Sequence, residues 1–309
     1  MRVSTFHAHD YAIANLQRRQ GELSRTQEQL TSGKRVAKPS DDPAAAARAE
    51  RALAAMSRSE ANQRALEASR SAMQLTETAL ADANELMQQA REAMMNAGNP
   101  SYTDAERGML VQSLRGLREQ LLSIANRADG VGSYLFAGQG SDGPPFVDAP
   151  GGVQYQAAAG QAMATSGEPL PLAIDGRHAW LEAVDPATGA PDLSLFDVMD
   201  RVITELATPG RSDDAVSTTV RTGIAEMDAV NSHLLAVRSR AGELLNRTDS
   251  VESRIADAKL GAQYERSLAE DLDMVQAISD FQNRQTGYDA ALKAYSLVQR
   301  MTLFQYLNG

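Results

Sequence analysis

The stretch MVQAISDFQNRQTGYDAALKAYSLVQRMT, residues 274–302, decides the fold. In it Met274, Ile278, Phe281, Gln285, Tyr288, Leu292, Tyr295, Gln299 and Thr302 recur at alternating three- and four-residue steps. On a helix that spacing draws one narrow stripe, the seam of a coiled coil. So narrow a stripe cannot bury itself and requires a partner helix. The other end of the chain supplies a candidate, because Ile13, Leu16, Gln20, Leu23, Gln27 and Leu30 keep the same step. Both seams reach almost to the termini, where most domains fray. Paired ends of this kind predict a subunit made to be joined to others.

Aromatic residues point the same way. Tyr264, Phe281, Tyr288, Tyr295, Phe304 and Tyr306 lie within the last 46 residues. Large rings on a terminal helix suit anchoring at an interface, since each buries a large area. Charge adds a weak bias: residues 1–39 carry a net +4 and residues 264–309 a net −2. Opposite signs favour association of the ends, within a chain or between copies, until salt screens them.

Composition narrows the function. The 309 residues suffice for two or more domains and a sizeable core. Aromatics are only 5% while alanine is abundant, which favours long helices with slender contacts. The net charge is −10 and no long basic run occurs, so a nucleic-acid partner is not expected. Absence of cysteine excludes disulfides, thiolate chemistry and sulfur-ligated zinc. Met1-Arg2-Val3-Ser4-Thr5-Phe6-His7 opens on no apolar run, so no cleaved signal peptide is expected. No stretch approaches 18 uninterrupted apolar residues, so no membrane-spanning helix is expected. Composition alone predicts a soluble chain made in the cytosol.

Along the chain, a first helix is predicted from about Tyr11 to Thr31, with Gly33 as its cap. Asp42 reads as the N-cap and Pro43 as the first residue of a second helix. That helix extends to about Asn96 and would be on the order of 80 Å long. Gly98-Asn99-Pro100 ends it. A third helix, Thr103 to about Ala128, should fold back antiparallel on the second. From Gly130 to about Gly189 helical periodicity vanishes. There Val153–Gln156 and Leu170–Ile174 read as strands, and Asp175-Gly176 as a hairpin turn. Helix resumes over Leu195–Leu206 and Ser212 to about Leu260, followed by a last helix to Leu307. The predicted class is mainly α: long antiparallel helices with coiled-coil termini and a small β-rich insertion domain. The expected divisions are a terminal helix 1–40, a helical core 41–130, the insertion 131–192, the returning core 193–262 and a terminal helix 263–309.

No constellation for chemistry survives. Gly138-Gln139-Gly140-Ser141-Asp142-Gly143 fits G-x-G-x-x-G, but Pro144-Pro145-Phe146 follows where a helix should open. The segment reads as a turn. His7 and His9 lack a carboxylate cluster beyond Asp10, and His178 and His233 stand isolated in the sequence. Asp41-Asp42 is explained by helix capping. No catalytic residue, metal or cofactor is expected, and the chain is not read as an enzyme.

Four segments carry a resemblance to a known family. They are Met1-Arg2-Val3-Ser4-Thr5; Leu30-Thr31-Ser32-Gly33-Lys34-Arg35-Val36 with Pro39-Ser40-Asp41-Asp42-Pro43; Gly132-Ser133-Tyr134-Leu135-Phe136-Ala137-Gly138 with Pro144-Pro145-Phe146; and Leu303-Phe304-Gln305-Tyr306-Leu307. In order and at both ends, the chain resembles the flagellin superfamily of bacterial axial proteins, most closely its members at the hook–filament junction. A flagellin-like filament subunit is the alternative. Pro43 after the double aspartate and the Phe304-Gln305-Tyr306 ending favour the junction members.

The resemblance implies a structural adaptor of the flagellum, self-associating in a ring. It implies the first hook-associated protein on the hook side, flagellin on the filament side and an export chaperone. Location would be extracellular, reached through the flagellar type III pathway, with terminal helices that order on assembly. The residues expected to pack subunits are Ile13, Leu16, Leu23, Leu30, Met274, Ile278, Phe281, Tyr288, Leu292, Tyr295, Leu303 and Phe304.

Overall fold

The computed structural model describes residues 2–130, 132–164 and 169–307, and the side chains of 9–130, 132–164 and 169–297. Along the chain run α1 (Arg2–Ser32), α2 (Pro43–Ala97), α3 (Asp104–Ala125), β1 (Phe146–Ala149), β2 (Gly152–Tyr155), β3 (Met163–Ala164), β4 (Leu170–Pro171), α4 (Gly176–Leu181), α5 (Leu195–Ala207), α6 (Asp213–Glu270) and α7 (Met274–Leu307). The fold is mainly α with a small β region, as the sequence predicts. It forms two compact units, Met1–Ser59 with Asp257–Gly309, and Glu60–Ala256.

Local chemistry sets the helix ends. Asp42 Oδ1 accepts from the backbone N–H groups of Ala44 and Ala45 at 3.1 and 3.0 Å, capping α2 ahead of Pro43 as expected. Thr103 and Glu106 form a reciprocal capping box on α3. α1 begins at Arg2 rather than Tyr11, because neither glycine nor proline interrupts the residues before it. α6 runs beyond Leu260 to Glu270 and is separate from the last helix. Asp273 Oδ1 accepts from Val275 and Gln276 N–H, starting α7 afresh.

In the unit Glu60–Ala256, α2 and α6 are antiparallel. Arg70 pairs with Glu252 at 2.7 Å, Glu77 with Arg238 at 2.5 Å, and Arg91 with Asp228 at 2.9 Å, so numbers rise on one helix as they fall on the other. α3 returns along α2, where Arg127 meets Asp82 at 2.8 Å. Buried residues on α2 recur every seven positions: Leu66, Met73, Leu80, Met87 and Met94. Val220, Met227, Leu234 and Ala241 do the same on α6. This heptad pattern is the seam of a long helical hairpin.

The insertion shares that core. Phe136, Phe146, Trp180 and Phe196 join one cluster with Leu80, Leu114 and Leu234. Trp180 meets Phe136 edge-on with centroids 5.4 Å apart and stacks on Phe196 at 6.2 Å. β1 and β2 form an antiparallel hairpin, and β3 and β4 a second, shorter one. The expected strand Leu170–Ile174 therefore shortens to Leu170–Pro171. Pro171 has no N–H to extend the ladder, and Ile174 instead donates to the Leu135 carbonyl and accepts from Gly138.

The expected hairpin turn at Asp175-Gly176 is a helix start. Asp175 Oδ1 accepts from the N–H groups of Arg177 and His178, and α4 begins at Gly176. A Cβ on Gly176 would lie 2.3 Å from the Phe136 carbonyl oxygen, so only glycine lets this helix approach the loop. The glycines of G-x-G-x-x-G likewise serve a turn that leads into β1. Gly138 has φ +61 and no room for a Cβ beneath the Ala158 carbonyl.

Buried Arg118 ties α3 to the insertion. Its guanidinium holds both Asp148 oxygens at 2.7 and 2.9 Å, and Nη2 also donates to Asp200 Oδ2 at 2.8 Å. The Arg118 bond keeps the Asp148 carboxyl below the usual carboxylate range.

Candidate assembly surface

The other unit, Met1–Ser59 with Asp257–Gly309, holds the sequence ends. Its centre is the signature loop Gly33-Lys34-Arg35-Val36. Gly33 takes φ +69 and donates to the Gln29 carbonyl, closing α1 as expected. The loop then lies against residues 269–272. The Arg35 N–H donates to the Glu270 carbonyl at 2.7 Å, and the Leu272 N–H to the Gly33 carbonyl at 3.0 Å. Arg35 Nη2 reaches the Ala269 carbonyl at 2.9 Å while Nη1 meets Asp42 at 3.3 Å. Lys34 Nζ lies 2.6 Å from Glu270 and holds that carboxyl below its ordinary range. A cation beside the last carbonyls of α6 also suits the helix dipole. Asp41 accepts from the Lys38 and Ala37 N–H groups and pairs with Arg25 at 2.6 Å, so these bonds lower its pKa. The motif thus joins α1 and α2 to the break between α6 and α7.

α1 and α7 pack antiparallel. Tyr295 Oη sits 3.1 Å from His9 Nε2, and Arg284 Nη1 donates to the Glu22 carbonyl at 3.2 Å. Gly287 lies under Arg19, whose Nη1 would be 2.8 Å from an added Cβ. On α1, Ile13, Leu16, Leu23 and Leu30 are all half-buried. On α7, Phe281, Tyr288 and Tyr295 are half-buried, whereas Met274, Ile278 and Leu292 stay exposed. Among the described side chains of α1 and α7, the buried ones are Thr26 and Ala277. Leu303 and Phe304 lie on α7, and their side chains fall outside the described residues.

Patterning in this unit is inverted. Among the described residues its buried apolar side chains are Val36, Ala45, Ala49, Ala52, Ala262, Ala269 and Ala277. Several of its large apolar residues face water: Leu260 is 65% exposed, Tyr264 64%, Leu268 60% and Val275 83%. Contiguous apolar exposure of this kind marks an interaction site. Periodicity at the termini pointed to the α1 and α7 part of this surface. Of the α6 part only Tyr264 stood out in the sequence, as an aromatic anchor, although Leu260 and Leu268 stand four residues to either side of it.

His178 and His233, isolated in the sequence, meet in the fold of the unit Glu60–Ala256. Their rings lie edge-on at 4.9 Å, and His233 Nε2 donates to the His178 carbonyl at 2.7 Å. Burial pushes the His233 pKa down. Arg240 and Glu182 flank His178. The bonds are spent on docking α4 to α6. Among the described residues no group of three or more acidic, histidine or cysteine side chains could hold a metal, and no helix is long and apolar enough to cross a membrane.

Long paired helices, a small β insertion and helical ends that meet define a structural subunit of the flagellin kind. Residues 3–141 match the bacterial flagellin N-terminal helical region. The chain is 30% identical over 321 residues to flagellar hook-associated protein 3 of Escherichia coli (strain K12), with 99% of each chain covered. It is 29% identical over 315 residues to the protein of that name from Salmonella typhimurium, again covering 99% of both. The crystal structure of flagellar hook-associated protein-3 from Legionella pneumophila matches with a TM-score of 0.61 at 19% identity, over 70% of this chain and 97% of that one. The chain belongs to the flagellar hook-associated protein 3 family.

Proposed function

We propose that this chain is the structural adaptor at the junction between flagellar hook and filament, and that copies join through their paired terminal helices. The observation that carries the reading is the inversion of one unit: its buried positions are mostly alanine, while Leu260, Tyr264, Leu268 and Val275 stand in water. α1 and α7 alone leave Met274, Ile278, Leu292 and Leu297 in water. Neighbouring copies in a ring would cover them, along with Leu303 and Phe304. In this reading the ring lies between the first hook-associated protein and flagellin. A chaperone accompanies the subunit, which leaves through the flagellar export pathway without a cleaved signal.

Ordering the ends costs conformational entropy that burial on assembly offsets. Limited proteolysis of the monomer is therefore expected to remove about 40 residues from each end. Ends as resistant as the rest would contradict that part of the reading. The main test is electron microscopy of cells lacking this gene, with an assay for flagellin in the medium. Bare hooks with flagellin released as monomer are expected. Intact filaments would overturn the junction role. Bare hooks with no flagellin anywhere would assign the chain to the filament itself.

A further inference from the structure

Two outward faces of the unit Met1–Ser59 with Asp257–Gly309 complement each other. On α6, Leu260, Tyr264 and Leu268 form a ridge on the side opposite buried Ala262. Asp257 and Glu265 flank the ridge, are exposed and have no ion-pair partner among the described residues. On α2, the side opposite buried Ala49 and Ala52 carries Ala47 and Ala54, with Arg58, Arg51 and then Arg48 along one edge and Glu50 along the other. All six are exposed, and the three arginines also lack an ion-pair partner among the described residues. One face is ridged, apolar and edged with free acids. The other is shallow, small and net basic, with three arginines against Glu50.

We propose that the α6 ridge of one copy of this chain seats on the α2 face of the next. The inference rests on the reading of the chain as a self-associating subunit and adds a contact outside the terminal helices. Three large apolar side chains cover the two alanines, and Asp257 and Glu265 meet the arginines. A guanidinium over the Tyr264 ring adds a cation–π contact. Neither face complements itself, because the α2 face is net basic and the ridge is flanked by acids. The contact is therefore heterologous, the type that generates closed rings or open helices instead of two-fold dimers.

The cysteine-free sequence allows a direct test in the full chain. Ala54→Cys and Tyr264→Cys are introduced together and singly into cells lacking the native gene, and their sheared appendages are oxidised. The double variant is expected to give a ladder of covalent oligomers rising in steps of one chain, and each single variant none. Assembled protein without a ladder overturns the contact but leaves the junction role standing. Dimers from either single variant overturn the heterologous geometry. Absence of the wild-type chain from appendages overturns both readings.

A second arm covers failure of the cysteine variants to assemble. Arg51→Glu with Arg58→Glu is expected to abolish filaments, and adding Asp257→Arg with Glu265→Arg to the same chain to restore them. Filaments unaffected by the first pair, or not restored by the second, overturn the contact.

Discussion

One heptad register runs down α2 through both units, and its occupants change. Between Leu66 and Met94 every seventh residue is a buried leucine or methionine. Going the other way, the same register places Ser59, Ala52 and Ala45, all buried and all small. α6 repeats the change, with Val220, Met227 and Leu234 at one end and Ala262 and Ala269 at the other. A buried leucine or methionine contributes about 2 kcal/mol and an alanine methyl about 0.8. One region is stable through its own interior. The other has mostly alanine at its buried positions, adds polar bonds around Arg35, and leaves several large side chains for something else to cover. Backbone geometry is the same in both, so the difference lies in side-chain size at fixed positions.

The comparison can be broken at its strongest point first. Trp180→Ala is expected to cost about 4 kcal/mol in chemical denaturation of Glu60–Ala256. A loss under about 1 kcal/mol would mean the aromatic cluster is dispensable. Arg118→Ala removes the partner of two carboxylates and is expected to cost about 2 kcal/mol, below the range for a fully buried pair because both aspartates stay partly solvated. Ala262→Leu sharpens the contrast. If the alanine seam is close-packed, the larger side chain costs about 1–2 kcal/mol; a gain in melting temperature would show a gap there.

Acid sensitivity is expected from His233. Its folded pKa lies below the ordinary 6.5 because burial disfavours the charged ring. The unfolded chain then binds the proton first, so the stability carried by neutral His233 is full above that value and falls as pH drops through it. His233→Gln is expected to flatten the acid limb of a pH–stability curve. The smallest effect belongs to Leu268→Ala, which should change monomer stability by no more than about 0.5 kcal/mol. A larger loss would show that the ridge already packs within one chain.

Much of this architecture was legible in the residues. Capping at Asp42-Pro43, the break at Gly98-Asn99-Pro100 and the seams of α1 and α7 each follow from local rules, and local rules survive folding. The heptads of α2 and α6 went unread where they are leucine, methionine and valine, and are ambiguous where they are alanine, because buried and exposed alanines look alike in sequence. Gly176 reads as a turn residue until Phe136 is seen 40 residues back in the chain, against the place where its side chain would go. His178 and His233 lie 55 apart, and only the docking of α4 brings them together. What the sequence concealed was pairing at a distance.

Lys34 and Glu270 are separated by 236 positions. Closing so long a loop from a random chain costs about 5 kcal/mol in entropy. Zipping α2 against α6 first, from Arg91–Asp228 to Arg70–Glu252, shortens the remaining gap before the knot is tied. A chain that emerges N-terminus first cannot tie it until Leu272 has arrived. The Gly33–Val36 loop therefore works as a clock as well as a clasp. It can lock only once residues 269–272 are present.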